Sequence, residues 1–103
     1  MKRGEIRWYR FQTPDKRRPV VVLTRDSMLD YLGEVTIAPI TSTIRDIPSE
    51  VVIGPEDGVP RQCAINLDHV QTVAKNRLGG MVAMLTSARM TEVREALLFA
   101  LGY

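Results

Sequence analysis

From Glu5 to Arg10 the chain reads Glu-Ile-Arg-Trp-Tyr-Arg, with Ile6 and Trp8 two residues apart, the period of a half-buried strand. Residues 12–19 break that rhythm. Thr13, Pro14, Asp15, three consecutive basic residues and Pro19 predict an exposed basic loop. Val20-Val21-Val22-Leu23-Thr24 follows with no charged interruption, as a strand covered on both faces requires. Asp26 or Ser27 is placed to cap a single helical turn through Tyr31, and Gly33 then releases the chain into a third strand over residues 35–41. Pro39 lacks an amide donor, so that strand is expected to bulge there or lie near an edge.

After a polar turn at residues 41–46, Glu50 to Ile53 makes a short fourth strand, ended by the breaker cluster Gly54-Pro55-Glu56-Asp57-Gly58-Val59-Pro60. One extended strand is expected from Gln62 to Val73, bent because Ala64 and Leu67 interrupt simple alternation, and stopping before Lys75-Asn76-Arg77. Gly79 to Ala83 forms a last short strand. The rhythm then changes to spacings of three and four. Met90, Val93, Leu97 and Leu101 fall on one stripe of an amphipathic helix, with Thr86 or Ser87 as N-cap and Gly102 as its stop. Short antiparallel strands with one terminal helix define an α+β protein, a small and partly closed β-barrel.

A length of 103 residues, 45% of them apolar and 25% charged, suits one folded domain over residues 1–103 rather than a disordered chain. Cys63 is alone and forms no intrachain disulfide. No secretory signal and no apolar run near the roughly 20 residues of a membrane span appear, so the cytosol is the expected compartment and no membrane partner is expected. The formal charge of +2 hides an asymmetry: residues 1–25 hold eight Lys and Arg against Glu5 and Asp15, whereas the remainder holds six against ten acids. A positive surface built by the N-terminal quarter favours a polyanionic partner.

The sequence has no phosphate-binding glycine loop and no dinucleotide fingerprint. One Cys and one His cannot close a structural zinc site, and neither metal nor cofactor is expected. Cys63 and His69, six residues apart on an extended strand, would stand about 20 Å apart, too far for a nucleophile and its base. What remains suits phosphate: a basic run ending at Arg18-Pro19, and a hydroxyl-rich strand end at Thr41-Ser42-Thr43. Arginine presents a rigid fork of donors that matches phosphate oxygens, and hydroxyls add neutral donors. Residue types alone leave a solvated loop cation and a turn-forming hydroxyl open as well.

Taken together the segments form a known pattern. MKRGEIRW, RRPVVVL, APITST, GVPRQCAINLDHVQTVAKNRL and LTSARMTEVREALLFALGY resemble, in order and spacing, the MazF/PemK family of toxin ribonucleases over nearly the whole chain. The resemblance implies an SH3-like, mostly antiparallel barrel with a C-terminal helix, working as a homodimer. It implies metal-independent cutting of single-stranded RNA, mRNA or tRNA, at short sequence motifs. It also implies a cognate antitoxin whose flexible acidic and apolar tail fills the dimer groove.

The family's loop arginine falls on Arg18 and its strand-end threonine on Thr41, which the resemblance makes the catalytic pair. Ser42 and Thr43 beside them, and Lys16 and Arg17 in the loop, are expected to bind or steer RNA. The implied chemistry is attack by the RNA's own 2′-hydroxyl on the adjacent phosphorus, giving 2′,3′-cyclic phosphate and 5′-hydroxyl ends. Preorganised donors would stabilise the charge that develops on the phosphoryl oxygens. A guanidinium stays protonated at neutral pH, so charge stabilisation is assigned to Arg18 ahead of proton transfer.

Two positions depart from the family pattern: Cys63 and His69, in QCAINLDHVQT, stand where many relatives have Ser and Gln. Cys63 is expected as a buried small residue. His69 is expected to contact RNA if it faces the cleft, where an imidazole also suits proton transfer; a satisfied structural histidine is the competing reading. For Trp8, Tyr9 and Phe11, near the loop base, core burial competes with contacts to a partner. The same fold class also suits a CcdB-like toxin that binds DNA gyrase without cutting RNA, and a non-catalytic RNA-binding barrel.

Overall fold

The computed structural model describes residues 1–11 and 17–103. Their elements run β1 (Glu5–Arg10), β2 (Arg17–Val22), α1 (Asp26–Leu29), β3 (Glu34–Thr41), β4 (Glu50–Ile53), β5 (Cys63–Asn66), β6 (Gln71–Ala74), β7 (Met81–Met84) and α2 (Ser87–Leu101). Every strand pairing is antiparallel, in the order β4-β5-β3-β2-β1-β7, and β6 also pairs with β3. The expected α+β class, with an antiparallel sheet and a terminal helix, is what forms.

The continuous apolar run of β2 serves two cores. Val20 and Val22 pack with Leu29, Val35, Ile37 and Val73, while Val21 packs with Ile6, Ala38, Ile40 and, from α2, Val93 and Ala96. A polar residue anywhere in that run would be buried, which is why alternation is absent. β2 begins at Arg17, earlier than expected, because β1 extends the ladder: Trp8 opposes Pro19, Tyr9 opposes Arg18 and Arg10 opposes Arg17. Arg17 and Arg18 therefore stand on a strand and not in the expected loop; the rest of that loop, including Lys16, lies outside the described residues.

α1 is shorter than expected, and Arg25, not Asp26 or Ser27, occupies its N-cap. Asp26 instead accepts the backbone N–H of Arg3 at 2.7 Å, tying the N-terminus to this turn.

The single strand expected over residues 62–73 is two, separated by a 3-10 turn at Leu67–His69. Asn66 is buried and its side chain accepts the N–H of Asp68 at 3.0 Å, so the residue caps the turn, while Leu67 drops into the core. The break lets β3 change partners: Glu34–Ile37 pair with β6, and Ile40 and Thr41 pair with β5. Pro39 lies at that change. Thr36 turns its carbonyl to Leu23 N–H and its N–H to Thr24 Oγ1, on the β2 side. Strand alternation then aims the Pro39 nitrogen at the opposite edge, between the two partners. The proline sits in a central strand whose ladder with β2 has no register shift, so neither the bulge nor the outer edge expected from sequence is needed.

α2 starts and stops where its sequence signals fall. Thr86 Oγ1 accepts the N–H of Arg89 at 3.2 Å. Gly102 takes φ 80°, and the N–H groups of Tyr103 and Gly102 reach Leu98 O at 2.9 Å and Phe99 O at 3.1 Å, the six-to-one and five-to-two bonds of a Schellman stop. Val93 and Ala96 are buried, with Met90, Leu97 and Ala100 packed beside them. Leu101, expected on that stripe, is 60% exposed because Ala100 takes the inward place in the last turn. Arg89 clamps the breaker segment to this helix: its Nε and Nη2 bond Asp57 Oδ1 and Oδ2 at 2.9 and 3.1 Å. That guanidinium holds the Asp57 carboxyl below its usual range, and the carboxylate in turn raises Arg89. Among the described residues no helix is long and apolar enough to cross a membrane.

Candidate active site and nucleic-acid interface

The β2–β3 ladder sets Val22 opposite Ile37 and Val20 opposite Pro39. The pairing stops there, and the same register carried two residues further brings Arg18 and Thr41 to the same end of the two strands. Two cavities open at this end of the molecule, and the residues they have in common are Arg18 and Thr41.

The first cavity, about 390 Å³, is walled by Trp8, Arg17, Pro19, Ser42, Arg61 and Cys63 around the shared pair. Arg17 sits over Trp8, its guanidinium carbon 4.4 Å from the ring centroid. That contact fixes a cation at the rim without neutralising it. Tyr9 and Phe11 meet edge to face at 4.8 Å and pack half-buried against the second core, so of the three aromatics near the loop only Trp8 reaches this cavity.

The second cavity, about 260 Å³, is lined by Pro39, Thr43, Arg45, Asn66 and His69 with the shared pair. Thr41 Oγ1 accepts the N–H of Thr43 at 3.1 Å, which curls the chain out of β3 and leaves the hydroxyl proton for a ligand. Arg45 is anchored from beneath: Glu50, whose side chain is fully buried, accepts both its N–H at 3.0 Å and its Nε at 2.8 Å. His69 is exposed on the 3-10 turn, with Nδ1 at 3.3 Å from Asn66 Nδ2.

All the sequence-derived candidates among the described residues meet here: Arg17, Arg18, Thr41 and Ser42 at the first cavity, Thr43 and His69 at the second. Trp8, for which core burial and partner contacts competed in the sequence, lines the first cavity, and Arg45, Arg61 and Asn66 join them unforeseen. Their local sequence is ordinary turn and strand-end composition, and only the change of partner along β3 gathers them. Among the described residues four arginines and no carboxylate line the two cavities, so the site attracts anions. The positive surface is thus not the property of the N-terminal quarter alone, since Arg45 and Arg61 come from later in the chain.

Cys63 is half-buried rather than buried, and it opens on the first cavity while His69 opens on the second. Burial, then the Asp57 charge, push its thiol up against the opposing pull of Arg61, so it is held as a neutral thiol. Neither position nor protonation makes it a nucleophile. A larger cavity, about 730 Å³, lies elsewhere, between Arg3, Arg25, Leu32, Thr72, Leu97 and Leu101, and shares no residue with the other two.

A small, curled antiparallel sheet that ends in a helix and turns a doubled arginine site toward solvent defines an anion-binding α+β protein. Residues 2–101 match the family of PemK-like, MazF-like toxins of type II toxin–antitoxin systems. The chain is 42% identical over 96 residues to a probable endoribonuclease MazF5 of Mycobacterium tuberculosis, covering 92% of this chain and 87% of that one. It is 35% identical over 103 residues to a probable endoribonuclease MazF2 of the same organism, covering 99% of each. Its fold superposes on the Mycobacterium tuberculosis toxin MazF-mt6 with a TM-score of 0.87 at 31% identity, over 95% of this chain and 96% of that one. A mycobacterial endoribonuclease solved in complex with its cognate antitoxin gives a TM-score of 0.85 at 28% identity, over 99% and 95%. This chain belongs to the PemK/MazF toxin family.

Proposed function

We propose that this chain is an endoribonuclease toxin, one catalytic domain over residues 1–103, that cuts single-stranded RNA in the cytoplasm and thereby halts translation. The observation that carries the reading is that, among the described residues, Arg18 and Thr41 alone border both cavities. A phosphodiester held between them has one nucleotide on each side and a guanidinium fork with a hydroxyl donor on its non-bridging oxygens. The 2′-hydroxyl attacks the adjacent phosphorus and the P–O5′ bond breaks. The attacking oxygen gives up its proton and the departing 5′-oxygen takes one, leaving 2′,3′-cyclic phosphate and 5′-hydroxyl ends. Negative charge peaks on the non-bridging oxygens between these events, where fixed donors act most strongly.

Metal independence is part of the proposal. Cleavage in excess EDTA tests it directly. Arg17, Ser42, Thr43 and His69 bind the flanking RNA, with Lys16 joining them from outside the described residues. The chain works as a homodimer, and a cognate antitoxin neutralises it by filling the dimer groove; that a mycobacterial endoribonuclease of similar fold was solved in complex with its cognate antitoxin supports such a partner.

The test is to map the 5′ ends of RNA fragments released by the purified protein in excess EDTA, with Arg18→Ala beside it. Fragments with 5′-hydroxyl ends at one short motif, absent with the variant, are the expected result. Intact RNA with the wild-type protein, or equal cleavage by Arg18→Ala, overturns the proposal. Gyrase binding without cleavage would move the chain to the CcdB-like reading, and salt-dependent RNA binding without cleavage to the non-catalytic one.

A further inference from the structure

His69 is the chain's one histidine, and its surroundings fix more than its position. Asn66 is 5% exposed, and its Oδ1 is committed to the N–H of Asp68 at 3.0 Å. The carboxamide must therefore present its Nδ2 to His69, where it lies 3.3 Å from Nδ1. An amide nitrogen donates and never accepts, so Nδ1 is the accepting nitrogen and the neutral ring carries its proton on Nε2. Asp68, the nearest carboxylate in sequence, turns to Ser49, whose Oγ donates to its Oδ2 at 2.5 Å, and the ring's partner in the structure is Asn66.

The other groups around the imidazole are also donors. Arg18 reaches the second cavity from β2, and Arg45 from the turn after β3. Glu50, beneath Arg45, is occupied by two bonds to it. Thr41 and Thr43 add hydroxyls, and the Pro39 ring supplies an apolar wall. Among the described residues no acidic side chain lines the cavity, which favours an occupant that offers acceptors. The carbonyl oxygens and ring nitrogens of a base edge do so, and so do phosphoryl oxygens. A flat apolar wall beside fixed donors suits the base.

We infer that His69 is a specificity-determining residue, whose Nε2–H, oriented by Asn66, reads an acceptor on the base of a nucleotide next to the scissile phosphate. The inference rests on the proposed function for the identity of the ligand, but not for the state of the ring. Asn66 is then a positioning residue, acting only through His69.

Two measurements test it. Nitrogen NMR of the labelled protein reads a single imidazole; the wild type is expected to show the Nε2–H tautomer, and Asn66→Ala to show a mixture. An Nδ1–H ring in the wild type overturns the inference whatever the protein does to RNA. In the second, oligonucleotides carrying each base, or no base, on either side of the cleavage point are made uncleavable by a 2′-deoxy sugar there, and their Kd values are measured. His69→Ala should reduce the preference for the favoured base on the order of tenfold, the loss of one hydrogen bond to a matched acceptor. His69→Gln, whose amide places an N–H near the lost Nε2–H, should restore it. Equal weakening of every probe, the baseless one included, would mean a phosphate contact or a structural role and would overturn the inference. Failure of the ribonuclease reading shows separately, as wild-type protein that leaves cleavable RNA whole.

Discussion

Replacing Thr41 by Val removes one hydroxyl and keeps the branched shape that β3 accepts. In the structure that oxygen accepts the N–H of Thr43 at 3.1 Å, and Thr43 is exposed, so water can take over the orphaned donor. The stability cost is therefore at most about 1 kcal/mol, the net value of one such bond. The kinetic cost is different in kind. Removing one fixed donor from the site of developing charge slows a reaction about 100- to 1000-fold, or about 3–4 kcal/mol. Single-turnover cleavage of a short RNA carrying the target motif, run beside urea unfolding, separates the two. Thr41→Val should lose cleavage and keep its unfolding midpoint nearly unchanged, while Thr41→Ser, which retains the donor, should recover most of the rate. A Val variant that cleaves within about threefold of wild type would remove Thr41 from the chemistry. A large fall in its stability would show instead that the hydroxyl serves the fold.

Other consequences follow from the same geometry. Arg61, exposed at the rim of the first cavity, should contribute one phosphate contact, so Arg61→Ala should make the slope of log affinity against log salt shallower by about 1; an unchanged slope excludes it from the interface. Asp57→Asn breaks a charged clamp whose carboxylate is 5% exposed and whose arginine is 24% exposed, and should cost about 2 kcal/mol by urea unfolding, less than a fully buried pair. Because Asp57 has its carboxyl lowered in the folded state, its stabilisation is present at neutral pH and is lost as pH falls below about 4. The wild-type unfolding midpoint should drop through that acid range more steeply than that of Asp57→Asn, and parallel curves would contradict the assignment. Gly58 holds φ +91°, and a Cβ there would meet the Ala83 Cβ at 2.8 Å, so Gly58→Ala should destabilise by about 2–4 kcal/mol from backbone strain and overpacking together; a change under about 0.5 kcal/mol would show that the loop relaxes.

Local signals located most elements. β1 and β4 begin and end where alternation and breakers place them, and α2 runs from its threonine cap to its glycine stop, because each of those limits is set by a nearby side chain or by a glycine. The departures come from contacts distant in sequence. Arg17 and Arg18 look like loop residues until β1 pairs with them, and the break at residues 67–69 depends on a buried Asn66 whose side chain turns back on its own backbone. Arg18 and Thr41 could be named from the motifs they resemble. Arg45 and Arg61 could not, since a single arginine in a polar turn reads as a solvated cation until the fold shows what it borders.

The placement of this site at strand ends follows from what a sheet can offer. Inside the ladder, backbone donors are spent on neighbouring strands and both faces of β2 are packed with valine, so no anion can be held there. Donors become available only where pairing stops, and here two stops coincide: β2 and β3 end their pairing after Val20 and Pro39, and β6 gives way to β5 along the opposite edge of β3. Gathering four arginines at that place costs repulsion in the empty protein. Two of them have it offset locally, Arg17 by the face of Trp8 and Arg45 by the buried Glu50. Among the described residues Arg18 has no such carboxylate, although it occupies the centre of the cluster with Thr41. Among the described residues Arg61 has none either, but of these two cations only Arg18 borders both cavities, which is where an incoming phosphodiester would relieve unfavourable charge from both sides.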